Sequence, residues 1–318
     1  MILALAGGVG GAKLARGLAD VLSPEELTIA VNTGDDFEHL GLHICPDLDT
    51  VMYTLAGLND PVRGWGLAGE TWQFMHGLEM LGGETWFRLG DRDLATHVER
   101  TRRLRAGESL TAVTRALCTG LGIHHRVTPM SDDPVRTLVH TGEGVLSFQD
   151  YFVRRRAQPV VTELEFSGAA TARIAGALRA ALDHPLLSAI VICPSNPYLS
   201  IAPVLALAEV NAALRNRHVP VIAVSPIIAG RALKGPAAKI MRELGKTPSS
   251  LEVANYYAGL IDALVVDHAD APLSAGIERL GIRALVTATI MNAPGERIAL
   301  ANQVIAFVRT SSPAVANA

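Results

Sequence analysis

Four glycines in five positions, Gly7, Gly8, Gly10 and Gly11, sit directly behind an apolar run at residues 2–6. Two acidic clusters follow, Asp35-Asp36 and Asp47-x-Asp49. Glycine lets a backbone take positive φ and approach a ligand closely. Exposed N–H groups at the start of a following helix then receive an anion. Carboxylates close together raise each other's pKa unless a cation or donor offsets them. Such a pairing suits chemistry on a phosphate ester or anhydride.

Magnesium is the natural counter-ion where a substrate carries phosphates. Asp35, Asp36 and Asp47 are the candidate ligands, directly or through water. Each is equally suited to capping a turn, and Asp47 or Asp49 to capping the helix that follows. Lys13, in the first turn of a helix at 12–22, adds a point charge for phosphate. The pattern is not a P-loop, because Ala12 and not glycine precedes the lysine. It meets a loose dinucleotide pattern at Gly8-x-Gly10, but Lys13 falls where the third glycine belongs.

Later segments add polar groups. Cys193-Pro194-Ser195-Asn196-Pro197 follows the strongest apolar strand, and proline must end a central strand there. Ser195 and Asn196 are left at the sheet's carboxyl edge as candidates for nucleotide contact or plain strand termination. Ser225-Pro226 repeats the layout, and Lys234 lies just beyond as a further phosphate cation or a solvated turn residue. Arg88 and Arg92, at the entrance to a helix at 91–103, can face an anion or simply start a capped helix. His97 is off any clean helical face with Asp91, so it is read as surface or packing. His124-His125 reads as a solvated loop. Met130–Arg136 offers hydroxyl, carboxylate and guanidinium groups in one turn, for capping or substrate contact.

The elements that must hold these residues alternate. Strands are expected at 27–32, 123–128, 187–192, 219–224, 263–266, 284–288 and 303–308, with helical patterns at 169–182 and 203–215. Alternation of this kind gives an α/β, Rossmann-like, mostly parallel sheet covered by helices, with sites at the carboxyl ends of its strands. The stretch 48–123 differs: it shows helical segments at 48–57, 68–81, 91–103 and 108–119 and no strong strand. The expected organisation is therefore a nucleotide-binding α/β core of 1–47 and 124–318, with a mainly helical insertion or subdomain at 48–123 forming one wall of a cleft. Residues 135–166 alternate apolar and polar around Gly142-Glu143-Gly144, and a hairpin or edge extension is expected there. The last six residues, 313–318, read as a frayed tail.

The 318 residues carry 28 basic and 31 acidic side chains, a formal net charge of -3 that gives no argument for a nucleic-acid surface. Three cysteines, Cys45, Cys118 and Cys193, are too far apart for a metal motif or a disulfide framework, which fits a reducing cytoplasm. No uncharged apolar run is long enough for a spanning helix, and the opening apolar stretch is too short for a signal peptide.

Read together, the ordered motifs resemble the 2-phospho-L-lactate transferases of deazaflavin-coenzyme biosynthesis, including bacterial members that use related three-carbon acids. The resemblance is carried by GGVGGAKL at 7–14, NTGDDFEHLGLHICPDLDTVMYTLAG at 32–57 and FRLGDRDLATH at 87–97. It continues through PMSDDPVRT at 129–137, CPSNPYLSIAPVL at 193–205 and AVSPIIAGRALKGPAAK at 223–239. It implies a magnesium-dependent transferase and, by expectation, a homodimer. The terminal ribityl hydroxyl of the deazaflavin precursor attacks the acid-bearing phosphorus of a guanosine diphosphate ester, and GMP leaves. By the same resemblance Asp49 and Arg88 contact the precursor, with Asp49 orienting the hydroxyl or taking its proton. The glycine turn and later loops hold the nucleotide. Cys45 stands where many relatives have serine, and some carry lysine in place of Arg88, which keeps the charge but changes its geometry. An atypical nicotinamide-dependent dehydrogenase and a non-catalytic guanine-nucleotide sensor are the alternatives.

Overall fold

Strand, turn, helix and strand follow one another from the first residues, as the alternation requires. The computed structural model describes residues 1–311, so the tail expected at 313–318 lies outside the described residues. Seven strands form one sheet: β1 Ile2–Ala6, β2 Leu27–Val31, β3 Arg126–Pro129, β4 Ala189–Ile192, β5 Val221–Val224, β6 Ala263–Asp267 and β7 Arg283–Thr287. Their order is β3-β2-β1-β4-β5-β6-β7, with every adjacent pair parallel. The order reverses between β1 and β4. Chains leave these two strands in opposite directions, which opens a crevice at their carboxyl ends.

Side chains alternate through the sheet into two cores. Leu3 and Leu5 enter one, and Ile2, Ala4 and Ala6 enter the other. Burial on both faces explains why β1 reads as a continuous apolar run and β2 as one broken only by Thr28. Helix α1, Gly8–Ala19, sends Leu14 and Leu18 into the second core. Helix α2, Pro46–Ala56, adds Leu48, Val51 and Met52 to that same core.

The strand expected at 303–308 is a correction. Those residues lie inside an 18-residue helix, Pro294–Ser311. Leu300, Ala301, Val304, Ile305 and Val308 are buried, a helical and not an alternating spacing. Gly17 of α1 lets this helix press close, since a β-carbon there would lie 2.4 Å from the Arg297 carbonyl oxygen.

Three further helices fill the segment after α2: α3 Gln73–Met80, α4 Asp93–Arg105 and α5 Leu110–Gly120. The first is shorter than the pattern at 68–81. Its start is fixed by Asp91, whose carboxylate accepts from the Gln73 and Phe74 N–H groups at 2.9 Å. The helix expected at 169–182 is confined to Gly176–Leu182, and that at 203–215 is split into Ala202–Leu205 and Ala208–Arg215. The expected hairpin is present as Arg136–Thr141 and Gly144–Ser147, joined by Val161–Ser167 into an antiparallel three-stranded sheet. A second hairpin, Phe37–His39 with Leu42–Ile44, turns at Leu40 and Gly41, both at positive φ. Among the described residues no single helix is long and apolar enough to cross a membrane.

Candidate active site

The crevice opens into a cleft of about 800 Å³. One pole is built by the glycine turn. Gly7, Gly8 and Gly10 line it, and Gly11 lies beneath. Gly8 takes φ +62°, and a β-carbon there would make ordinary contacts of 3.8 Å with Asp47 Oδ1 and Ser200 Oγ, so its backbone conformation and not space calls for glycine. Gly10 and Gly11 serve packing: added β-carbons would lie 2.2 Å from the Pro194 carbonyl oxygen and 2.4 Å from Ser195 Oγ. The small residues thus let α1 abut the loop after β4. The Gly7 N–H donates to Ser195 Oγ at 3.1 Å and the Gly8 N–H to Asp47 Oδ1 at 2.7 Å. Next along α1, Val9 and Gly10 have no carbonyl a turn earlier to bond, because a helix leaves its first N–H groups free. They and the helix dipole make this end receptive to an anion.

Cations surround the same end. Lys13 and Lys234 both line the cleft, as does Arg63. The Lys13 ammonium is held below its usual pKa, by burial first and then by Lys234 and Arg297. Crowded like charges are the signature of a site that waits for an anion. Ser195 and Asn196 also line the cleft, with hydrogen bonds turned inward. Ser195 accepts from Gly7, and Asn196 Oδ1 caps the following turn through the Tyr198 and Leu199 N–H groups.

The carboxylates fall into three settings. Asp35 and Asp47 line the cleft beside the glycine turn. Burial pushes Asp47 up to about 6, against the hydrogen bonds from Asn32 Nδ2 at 3.0 Å and from Gly8. Burial and then Asp47 push Asp35 well above the carboxylate range. Asp35 Oδ1 is buried with no hydrogen-bond partner. A hard divalent cation fits here: it would satisfy that oxygen and offset the repulsion between the two acids. Asp36 does not line the cleft. It faces His43 and Cys45 instead.

Asp49 is in the third setting, on the face of α2 opposite α4. Arg100, 1% exposed, grips it with both guanidinium nitrogens, one of them 3.1 Å from Oδ2. His97 Nδ1 lies 3.7 Å from Asp49 Oδ2, and His97 Nε2 lies 3.4 Å from Asp93 Oδ2. The Tyr53 hydroxyl donates to Asp93 Oδ1. Burial raises the Asp49 pKa in spite of Arg100 and His97. Burial also works to raise Asp93, but His97 and Tyr53 outweigh it and Asp93 sits below its ordinary value. Asp49, Tyr53, Asp93 and His97 all open onto the cleft.

His97, read from the sequence as surface or packing, is therefore a buried member of this network. Its partner is Asp93, one helical turn before it, and not Asp91. Asp49 and Tyr53 share the same four-residue spacing on α2, and Arg100 follows His97 by three. Those spacings were the available signal. The remaining wall is aromatic: Trp65, Trp86, Phe87, Phe148 and Phe152 line it. Arg88 lines it too, with its guanidinium 4.0 Å from the centre of the Trp72 ring. Arg92 does not; it reaches the Ala68 carbonyl oxygen and sits outside the cleft. Ser131, Asp132 and Asp133 serve loop contacts to Arg173 and Thr111.

The arrangement can hold a polyanion at one end and a flat aromatic molecule at the other, with a buried acid network beside the latter. Comparison with known proteins gives the family. The family model described as 2-phospho-L-lactate transferase CofD matches residues 2–280. A 2-phospho-L-lactate transferase of Methanosarcina acetivorans is 38% identical over 309 residues, covering 97% of this chain and 99% of its own. A phosphoenolpyruvate transferase of Streptomyces griseus is 40% identical over 310 residues, covering 96% and 97%. A solved structure, a member of the upf0052 family from Bacillus halodurans, shares the fold at a TM-score of 0.62 with 12% identity, covering 96% and 98%. With a match of this extent the conclusion is direct: the chain belongs to the 2-phospho-L-lactate transferase family and is a phosphotransferase of that type.

Proposed function

We propose that the enzyme transfers a phospho-acid, of phospholactate or phosphoenolpyruvate type, from a guanosine diphosphate ester to 7,8-didemethyl-8-hydroxy-5-deazariboflavin. The acceptor's terminal ribityl oxygen bonds to the acid-bearing phosphorus. The bond from that phosphorus to the bridging oxygen breaks, its electron pair leaves with GMP, and the hydroxyl proton passes to the acid network or solvent. The observation that carries this reading is the cleft itself. It joins a glycine and lysine pole to an aromatic wall in a chain aligned with transferases over nearly its full length.

GMP is a good leaving group, so alignment and charge relief account for most of the acceleration. In this proposal Lys13, Lys234 and the start of α1 bind the diphosphate. Asp35 and Asp47 would hold magnesium, which supplies charge neutralisation on phosphate oxygens when bound. Arg88 and the aromatic wall hold the deazaflavin rings. Asp49, fixed by Arg100, orients the hydroxyl. Residues 48–123 act as the wall that brings the acceptor to the core of 1–47 and 124–318. A cytoplasmic homodimer completes the proposal, and its assembly is checked by sedimentation.

The strand order also suits a dinucleotide, but the end of β2 speaks against the dehydrogenase alternative. The residue after β2 is Asn32, whose side-chain Nδ2 donates to Asp47 and whose side-chain Oδ1 accepts from the Gly34 N–H at 2.8 Å. That position therefore offers no free acid to a ribose. The test of function is mass analysis of products from the precursor, magnesium and each candidate donor. A phosphodiester of the precursor with stoichiometric GMP is expected from one of them. Tight guanylate binding without turnover on any donor would instead leave a nucleotide sensor.

A further inference from the structure

We propose that Asp36, His43 and Cys45 form a second metal site, of the zinc class, behind the cleft. Three separate pieces of chain converge there. Asp36 ends the turn after β2, His43 lies on the second strand of the 37–44 hairpin, and Cys45 is the residue that starts α2. One ligand atom from each lies within 4.8 Å of the other two. Asp36 Oδ2 and His43 Nε2 are already 3.7 Å apart. A tetrahedral zinc with its usual bond lengths sets such neighbours about 3.3–3.6 Å apart. Closure by a few tenths of an ångström at this pair is enough.

Two atoms here lack a use. Asp36 Oδ1 and His43 Nε2 are buried with no hydrogen-bond partner, and the Asp36 side chain is only 1% exposed. A buried unpaired carboxylate oxygen is costly, and a bound cation removes that cost. The donor set also selects the ion. A thiolate and an imidazole beside one carboxylate suit a borderline-soft metal and not magnesium, which takes oxygen ligands. The two anionic ligands neutralise a divalent charge. The thiol proton passes to solvent as the ion binds. His43, 19% exposed, marks the entry side and leaves the fourth position to water.

The site differs from the magnesium proposal in residues and in chemistry. Its members nevertheless flank the cleft acids: Asp36 follows Asp35, and Cys45 precedes Asp47 by two residues. An ion there would staple the hairpin to the start of α2 and so fix both acids in place.

The test is cobalt titration of the full-length protein after exhaustive chelation and dialysis. The expected result is one tightly bound cobalt per chain, with a thiolate-to-metal charge-transfer band, tetrahedral visible bands, and displacement of both by zinc. Cys45→Ser should abolish the charge-transfer band, while Cys118→Ser keeps it. His43→Ala should weaken cobalt binding by about tenfold or more. No charge-transfer band in the unaltered protein, a band that survives Cys45→Ser, or unchanged affinity in His43→Ala each overturns the site. Product formation with magnesium alone is read separately, so failure here leaves the transfer reading untouched.

Discussion

Arg100→Met removes the guanidinium that grips Asp49 in the protein interior. Both side chains are almost fully enclosed, at 1% and 7% exposure, so solvent screens the pair little. Removing one partner of such a pair leaves a buried charge and costs about 3–5 kcal/mol. A folded chain of this length unfolds with an entropy of about 2.1 cal/mol/K per residue, so that cost corresponds to a fall in Tm of about 4–8 °C. The penalty belongs to ionised Asp49. Without the guanidinium the folded-state pKa of Asp49 rises further, so the folded state binds its proton more tightly than the unfolded state does. Stability of the variant therefore falls as pH rises through that value, and the gap to the parent protein narrows in acid. Asp49→Asn in the same chain removes the stranded charge and should restore half or more of the loss. Calorimetry on the parent, both single variants and the double variant gives the coupling directly. A Tm within 1 °C of the parent for Arg100→Met, or strictly additive effects in the double variant, would refute the reasoning.

Arg88→Ala should weaken acceptor binding by about 1.5–3 kcal/mol and leave nucleotide binding unaltered; separate fluorescence titrations of the two ligands decide, and an unchanged acceptor affinity removes the role. For Asp47, folded pKa is raised to about 6 from an ordinary 3.8. Its contribution to stability is complete below the unfolded value and is lost as pH rises through about 6, so metal-free protein should lose Tm between pH 4 and 7. Magnesium should then raise Tm at pH 7 and much less at pH 5; equal shifts at both would contradict the pairing of Asp35 and Asp47 around a cation. Gly10→Val should destabilise the fold itself, because its side chain would enter the Pro194 carbonyl; a variant with parental Tm would show that the loop moves freely.

Local chemistry was legible in the sequence, and long-range chemistry was not. The glycine turn, the Pro194 strand stop and the acids at 35–36 and 47–49 each declare themselves within a few residues. The parallel sheet followed from alternation of strands and helices. The Asp49 network did not, because its halves lie on α2 and α4 and meet only through packing. Arg100 illustrates the limit: within one helix it is another arginine of a basic stretch, and only burial against Asp49 gives it a task. Asp36 shows the converse. Its proximity to Asp35 in sequence suggested one shared ion, yet successive side chains diverge and it faces the hairpin. The apolar run at 303–308 suits strand and helix alike, and packing on α1 settled it as helix. The short hairpin at 37–44 was too brief to register as alternation, although it carries His43.

The central claim is that the cleft places the ribityl hydroxyl against the acid-bearing phosphorus and expels GMP. The direct measurement uses precursor with a heavy-oxygen label in its terminal hydroxyl, followed by mass analysis of both products. Retention of the label in the phosphodiester, with unlabelled GMP formed in equal amount, is the expected result. Label lost from the deazaflavin product, or a guanylylated deazaflavin with free phospho-acid, would contradict it.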